Sequence, residues 1–358
     1  MPARRGGQGG TRRCRWRSGW TPGRAARPGG AGIGHLANAW TLRRWRGLLY
    51  RVRDVYRAAG IGYGTVGAMS TWHVSNEVRN KIASTGPLGQ AWLDELARDP
   101  SGDVDGHPAM TADVEEVEVI VAHQERITLR VGDVFVKLDA DRSRLDVEVE
   151  AMTMPPVPTP EILWRKPHEL ALAALPGTAL GRLGQPSPSS PAAWAAAGAA
   201  VRTLHDAPLP PWRSRRLDGL ASQLDGECEW FVANEVLPAD VVMHNRRLAE
   251  GALRPWTPVF MHGDLQVAHV FVDGDEVTGI LDWSEGGQGD ALWDLAILTM
   301  GHPEHLGDVV AGYGTDVDLD VVRGWWSLRC LLATRWLVEH GYGPAEEYPE
   351  VALLRSQP

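Results

Sequence analysis

Residues 261–283 constrain the fold of this chain more than any other segment. They contain two short runs rich in β-branched residues, Val270–Val272 and Val277–Leu281, separated by a polar turn with an Asp-Gly pair. Two such runs around such a turn predict a β-hairpin. Asp264 comes shortly before the first run, and Asp282 directly follows the second. Because a hairpin brings its two ends together, we expect both carboxylates to lie close to a common point.

Two carboxylates placed in this way suit phosphoryl transfer. One can accept or orient the hydroxyl of an acceptor, while the other holds the magnesium ion that bridges the phosphates of a nucleotide. The alternative interpretation is an ordinary turn and hairpin with solvated acidic side chains. The residues around the hairpin decide between the two.

The chain around this hairpin resembles the aminoglycoside phosphotransferase family, which shares the two-lobe protein-kinase fold. The family signature runs His-Gly-Asp-Leu, three residues, Asn, a strand that ends in Asp-Trp, then Gly-Asp and Asp-Leu-Ala. The chain carries these elements in order, apart from the Asn, at His262–Leu265, Ile280–Trp283, Gly289–Asp290 and Asp294–Ala296. The resemblance implies an α+β fold with a small antiparallel sheet in the N-lobe and a mainly helical C-lobe.

The same resemblance implies a function. The γ-phosphate of ATP, or of GTP, would pass to the hydroxyl of a small molecule, with Mg²⁺ or Mn²⁺ as the metal. Asp264 corresponds to the catalytic residue that orients the hydroxyl and accepts its proton, and Asp282 to a metal ligand. The family's acceptors include aminoglycosides, macrolides, choline and homoserine, so the sequence leaves the acceptor open.

His269 stands where the family has Asn. Imidazole is a poorer magnesium ligand than an amide oxygen and suits softer ions better. Three interpretations are open: His269 binds a divalent ion such as manganese, it hydrogen-bonds Asp264 and leaves the metal to Asp282, or the site is slow or inactive. A loop histidine that only packs beside the site is a fourth.

Three runs upstream of the hairpin predict the N-lobe sheet. They are rich in β-branched residues and lie at 117–121, 127–131 and 134–138. Polar turns separate them, which favours antiparallel strands. Lys137 lies in the third run, and its neighbours point to the opposite face of the strand. By resemblance, Lys137 holds the α- and β-phosphates of the nucleotide.

The family's lysine pairs with a glutamate on the following helix. Glu148 and Glu150 are the candidates, and they point to different faces of a helix, so only one can pair. The family's Glu-Ala pattern favours Glu150, whereas the short helix before Pro155 favours Glu148. We carry Glu150 forward as the predicted partner, with the alternative left open.

Two further segments resemble parts of the family. Residues 169–177 resemble the last N-lobe strand and the hinge, where backbone groups from Ala173 to Leu175 would meet the nucleotide base. Residues 192–205 predict an alanine-rich helix. Near the signature, Asp290 orients the catalytic loop by resemblance, while Asp294 either caps a helix or anchors that loop.

Charge is distributed unevenly along the chain. Residues 1–53 hold thirteen Arg and no acidic residue, so the remainder carries −22 within a net charge of −9. An acidic body attracts cations, which tilts the expected acceptor weakly towards a cationic one. No apolar run is long enough to cross a membrane. Three widely spaced cysteines suit a reducing cytoplasm and show no metal-binding spacing.

Composition divides the chain into predicted regions. Residues 1–47 form a disordered basic tail, 96–112 a linker, 113–177 the N-lobe and 178–358 the C-lobe. Between tail and linker, residues 48–95 form a helical segment. Within it, residues 48–90 resemble a lac-repressor-type helix-turn-helix, on the matches Ala59–Ile61, Thr65–Val66 and Val74–Arg79.

The repressor-like segment motivates a second hypothesis. The protein would then be a catalytically weak, kinase-like nucleotide sensor that binds DNA through residues 48–95. A third hypothesis makes residues 1–109 dispensable, with Met110 as the functional start, because all three predicted N-lobe strands follow it.

Overall fold

The computed structural model describes residues 76–84, 86, 89–90, 93–94, 117–123, 126–166 and 168–357. These residues form a small lobe built on a β-sheet and a larger, mainly helical lobe, as the sequence predicted. The helices, in chain order, are α1 (Asn76–Ala83), α2 (Arg142–Thr153), α3 (Pro191–His205), α4 (Leu217–Ala233), α5 (Ala239–Ala252), α6 (Ala291–Thr299), α7 (Leu306–Tyr313), α8 (Leu319–Glu339) and α9 (Pro349–Ser356). The strands are β1 (Val117–His123), β2 (Arg126–Val131), β3 (Val134–Asp139), β4 (Ile162–Lys166), β5 (Glu169–Ala173), β6 (Thr178–Ala179), β7 (Val259–Met261), β8 (Val270–Asp273), β9 (Glu276–Ile280) and β10 (Gly287–Gly289).

The small lobe is an antiparallel sheet with the strand order β1-β2-β3-β5-β4. Its first three strands confirm the three predicted runs. Alternation along β3 sets its two faces, because successive side chains of a strand point to opposite sides. Val136 and Leu138 enter the lobe's core cluster, while Lys137 lies between them in sequence and faces the other lobe, where it reaches Asp282.

Helix α1 contributes to the core of this sheet. Ile82 of α1 is completely buried and belongs to the same apolar cluster as Ile127 and Leu129 of β2. Leu93, which follows the helix, is nearly buried in that cluster too. The hypothesis that residues 1–109 are dispensable therefore conflicts with the packing. The predicted tail (1–47), the linker (96–112) and most of the repressor-like segment lie outside the described residues.

The large lobe packs its helices around two apolar clusters. Helix α8 lies against α5 and α6, and α3 lies against α7. Trp293 and Trp325 are buried in one cluster and Trp194 in the other. The predicted helix at 192–205 is confirmed as α3. None of the helices in the described ranges is long and apolar enough to cross a membrane.

The predicted hairpin is confirmed as β8 and β9, which pair antiparallel. Gly274 in its turn has a φ of +59°, a conformation that glycine adopts without a steric penalty. A second strand pair, β7 with β10, flanks the hairpin. Residues 262–269 connect β7 to β8, so the segment with Asp264 is fixed at both ends by a strand.

Ile82→Ala should lower the free energy of unfolding by about 2–5 kcal/mol, the usual cost of truncating a fully buried aliphatic side chain. Lys81→Ala is the matched control, since Lys81 lies next in the same helix and is exposed, and it should change the value by less than about 0.5 kcal/mol. Urea denaturation measures both. Equal stability of the two variants would show that α1 contributes nothing to the small lobe.

Candidate active site

A buried aspartate anchors the loop that carries Asp264. Asp294 of α6 accepts hydrogen bonds from the backbone N–H groups of His262, at 2.7 Å, and Gly263, at 2.9 Å. Its side chain is fully buried and also meets His205 Nε2 at 3.2 Å. Of the two predicted roles, Asp294 therefore anchors the loop. The helix cap is Asp290, which accepts from the N–H of Leu292.

Glycine is required at position 263. Its φ is +86°, and a Cβ there would lie 2.3 Å from the carbonyl oxygen of Glu285, well inside van der Waals contact. Trp293 adds a further constraint, because its Nε1 donates to the Gly263 carbonyl at 2.8 Å. The loop therefore passes between α6 and the segment after Asp282 with no space for a side chain.

His262 connects the two segments that carry the carboxylates. Its Nε2 donates to the carbonyl of Leu281 at 2.8 Å, and its Nδ1 accepts from the N–H of Asp264 at 3.3 Å. This pattern requires a neutral ring, and burial holds the pKa of His262 below its ordinary value. Histidine in the motif thus fixes the distance between the Asp264 loop and the end of β9.

Asp264 is held by two side chains that the sequence analysis missed. Arg329 of α8 donates from Nη2 to Asp264 Oδ1 at 2.9 Å, and Gln266 Nε2 lies 3.0 and 3.2 Å from the two carboxylate oxygens. Burial alone would raise the pKa of Asp264, but Arg329 and His269 outweigh it and hold the pKa below its usual range. Asp264 is therefore a carboxylate near neutral pH.

Asp282 lies beside Lys137, across the boundary between the two lobes. Lys137 Nζ donates to Asp282 Oδ1 at 3.0 Å and also to Glu148 Oε1. Burial would lower the pKa of Lys137, yet these two carboxylates raise it above its ordinary value. Conversely, Lys137, followed by His269 and Arg126, lowers the pKa of Asp282 strongly against its own burial.

The prediction that Glu150 pairs with Lys137 is wrong, because Glu148 is the partner. The inner face of α2 consists of Leu145, Glu148, Ala151 and Met152, which recur at the spacing of a buried helical stripe. Glu150 lies about 200° around the helix from Glu148, at 100° per residue, and is exposed. Helix phase, which is set by tertiary packing, decides between the two glutamates.

His269 bridges the two carboxylate segments. Its Nδ1 lies 2.9 Å from the backbone carbonyl of Asp264, and since a carbonyl only accepts, Nδ1 carries the proton. Its Nε2 lies 4.0 Å from Asp282 Oδ2. The hydrogen bond to Asp264 that one interpretation proposed is therefore present, although it goes to the backbone. In the neutral ring the free Nε2 points towards the predicted metal ligand.

The residues at this position fit a divalent metal ion in part. A histidine that binds a metal commonly donates its other ring N–H to a backbone carbonyl, as His269 does. Asp282 adds a carboxylate whose low pKa keeps it charged. Among the described residues, no group of three or more His, Cys, Asp and Glu side chains is arranged to hold an ion, so the remaining ligands would come from nucleotide phosphates and water.

The predicted hinge offers one residue with free backbone groups. The N–H of Ala173 donates to the Glu161 carbonyl at 3.0 Å, and the N–H of Ala174 to the Asp133 carbonyl at 2.8 Å. Ala173 therefore cannot donate to a nucleotide base, contrary to part of the expectation. Neither backbone group of Leu175 is bonded to another residue in the described ranges.

Comparison with known proteins places this arrangement in a family. Residues 143–325, just over half of the chain, match the model of the phosphotransferase enzyme family. The chain belongs to this family, and its members' kinase-like phosphotransferase fold is the class that the motifs predicted. No curated protein matches the chain.

Two solved structures with TM-scores above 0.5 agree on the fold. The GDP and kanamycin complex of APH(2")-IIia is 15% identical, with a TM-score of 0.53 over 70% of this chain and 94% of that one. The GDP complex of aminoglycoside 2'-phosphotransferase-IIIa is 18% identical, with a TM-score of 0.52 over 73% and 95%. APH(3'')-Id from Streptomyces rimosus is 23% identical, with a TM-score of 0.46 over 60% and 92%. At such identities, the first two show the two-lobe fold alone.

Glu148→Gln should weaken the binding of Mg-ATP by about tenfold to a hundredfold, since a hydrogen bond to a charged group contributes about 1.5–3 kcal/mol. Loss of this charged partner leaves Lys137 positioned by Asp282 alone. Glu150→Gln makes the same chemical change two residues further on, at an exposed position, and should leave the dissociation constant unchanged. Isothermal titration calorimetry compares them, and equal effects would contradict the assigned pairing.

Arg329→Gln should raise the pKa of Asp264, because it removes the cation that most strongly favours the carboxylate. The titration midpoint of Asp264 then moves to higher pH. Carbon NMR of the labelled carboxyl group detects this shift, and the Asp264→Asn variant assigns the signal. Arg323→Gln is the control, since Arg323 lies on the same helix and pairs instead with the exposed Asp320. An unchanged midpoint in Arg329→Gln would refute the electrostatic role of this arginine.

Proposed function

We propose that this protein transfers the γ-phosphate of ATP or GTP to a hydroxyl group of a small molecule. The observation that carries the proposal is the contact between Lys137 and Asp282 at 3.0 Å. This contact brings the phosphate-binding lysine of one lobe to the metal-binding carboxylate of the other. His269 connects Asp264 to Asp282, since its Nδ1 contacts the backbone carbonyl of Asp264 and its Nε2 lies 4.0 Å from Asp282 Oδ2. The phosphate donor, the metal and the acceptor would therefore meet near Asp282.

The donor would bind between the lobes. The N–H and carbonyl of Leu175 are free to contact the nucleotide base. Lys137 donates to Glu148 and Asp282, which leaves the third N–H of its ammonium group for the phosphates. Lys137 is held in place by Glu148, so it loses little conformational freedom when the nucleotide binds. Positioning of this kind is the main contribution that a kinase-like site makes to phosphoryl transfer.

Asp282 and His269 would hold the metal ion, which neutralises charge on the phosphates when it is bound. The carboxylate suits Mg²⁺, whereas the imidazole suits a softer ion such as Mn²⁺. The choice of metal is therefore part of the test. Asp282 has a φ of +62°, a costly conformation for a residue other than glycine, and such strain is concentrated at functional sites.

Asp264 would orient the acceptor hydroxyl and take its proton. Its lowered pKa keeps it a carboxylate that can accept the hydrogen bond of the hydroxyl, and orientation of the nucleophile is the role that phosphoryl transfer requires of such a residue. Arg329 and Gln266 occupy the Asp264 oxygens in the described structure. The acceptor hydroxyl would therefore share Asp264 with Arg329 and replace the contact to Gln266.

The test is ADP release by the purified chain with ATP or GTP, with Mg²⁺ or Mn²⁺, and with a panel of aminoglycosides and small hydroxyl compounds. Asp264→Asn should lower the turnover number by about a hundredfold to ten thousandfold, the usual contribution of a catalytic base, while nucleotide affinity persists. Asp316→Asn is the control, since Asp316 is exposed on a loop of the same lobe. Full turnover by Asp264→Asn would refute its role.

A further inference from the structure

A cavity of about 400 Å³ lies in the large lobe, next to the strand pair that leads into the catalytic loop. One wall is Gln288 and Gly289 of β10, whose partner strand β7 continues into His262. Another wall is the segment before α4. This segment runs along β10, where the N–H of Ser214 donates to the Gln288 carbonyl at 3.1 Å.

Three arginines line this cavity. Arg213, Arg215 and Arg216 are all in its wall, against one carboxylate, Asp218. Asp218 is paired with Arg216, and Arg215 is paired with Glu285. Arg213 makes no ion pair within the described ranges. Once these two ion pairs are counted, the cavity carries one positive charge in excess, that of Arg213, on a chain whose net charge is −9.

Arg215 connects the cavity to the catalytic loop. Its guanidinium lies 4.4 Å from the ring centre of Trp293, the residue that donates to the Gly263 carbonyl. The backbone carbonyl of its partner Glu285 is the group that a Cβ at position 263 would meet at 2.3 Å, and Glu285 lies within electrostatic range of Asp264 and Arg329. The Nε atom of Arg215 is buried and has no acceptor among the described residues.

The remaining lining suits the neutral part of a small molecule. Leu217 and Trp256 present apolar surface, and Trp256 is held by an edge-to-face contact with Trp325. Helix α4 begins at the cavity, where Asp218 Oδ1 accepts from the N–H of Gly219 in the first turn at 3.0 Å.

We propose that this cavity binds a carboxylate or phosphate group of the acceptor whose hydroxyl is presented to Asp264. The inference rests on the proposed phosphotransferase function and names the acceptor class as an anionic hydroxyl compound. A polycationic acceptor would place its amines beside Arg213, whose charge no ion pair within the described ranges offsets, and like charges repel. The charge of the cavity thus opposes the cationic acceptor that the net charge of the chain favoured.

Four compounds that share the glucose ring test the proposal: glucose, glucosamine, glucuronate and glucose 6-phosphate. Their binding to the full chain, saturated with a non-hydrolysable ATP analogue, is measured by calorimetry. The proposal predicts at least tenfold tighter binding of glucuronate, glucose 6-phosphate or both than of glucose and glucosamine. Comparison of the two anions distinguishes carboxylate from phosphate. Binding no tighter than that of glucose, or no binding of any of the four, overturns it.

Variants place the binding in the cavity. The double variant Arg213→Gln/Arg216→Gln should bind the anions at least tenfold more weakly, so that the preference over glucose is lost. Arg247→Gln removes an exposed arginine of α5 that pairs with no described residue, and it should keep the preference. Retained affinity for the ATP analogue shows that each variant is folded. A preference that survives the double substitution would assign the anions to another site and overturn the proposal.

The outcome for the cavity is separable from the outcome for catalysis. Asp264→Asn should keep the preference for anions, because Asp264 does not line the cavity. A chain that prefers the anions but never releases ADP with any of the panel compounds would leave the anion site standing and remove the phosphotransferase function. Turnover with kanamycin, without any preference for anions, would support the phosphotransferase function and overturn the anion site.

Discussion

The position of Lys137 between two carboxylates determines the relation of the two lobes. A buried ammonium group is costly unless it is paired and hydrogen-bonded, and Lys137 meets this condition only when α2 supplies Glu148 and the end of β9 supplies Asp282. Removal of one partner from a buried ion pair typically costs about 3–5 kcal/mol. The sheet, the helix α2 and the hairpin must therefore be placed together, and this requirement brings the small lobe against the catalytic loop.

The catalytic loop depends on a second buried charge in the same way. Asp294 accepts from two successive backbone N–H groups, and these are donors that the sharp turn at Gly263 would otherwise leave unbonded. His262 then ties the loop to β9. Asp264 and Asp282 are thereby held by backbone contacts, so the active-site geometry does not depend on the two carboxylates attracting a metal ion first.

Local patterns made much of this predictable from sequence. The hairpin followed from two β-branched runs and an Asp-Gly turn, and the N-lobe strands from similar runs. Helix phase was not predictable at α2, where Glu148 and Glu150 differ only in which of them faces the sheet. The role of Arg329 was not predictable either, since it lies 65 residues after Asp264 on a tryptophan-rich helix and no spacing rule connects them. The burial of Ile82 was not predicted, because its segment also resembled a DNA-binding motif.

Net charge and local charge lead to opposite expectations about the acceptor. Screening in solution limits the influence of a surface charge to about 10 Å at moderate salt, so an acidic body affects the approach of a ligand more than its final position. At the site itself, Arg215 and Arg329 stand against Glu285 and Asp264, so positive and negative groups alternate around the catalytic loop. The arginine-lined cavity is the part of this region where one sign prevails. Selectivity for the acceptor is therefore expected to depend on the few side chains of the cavity rather than on the composition of the chain.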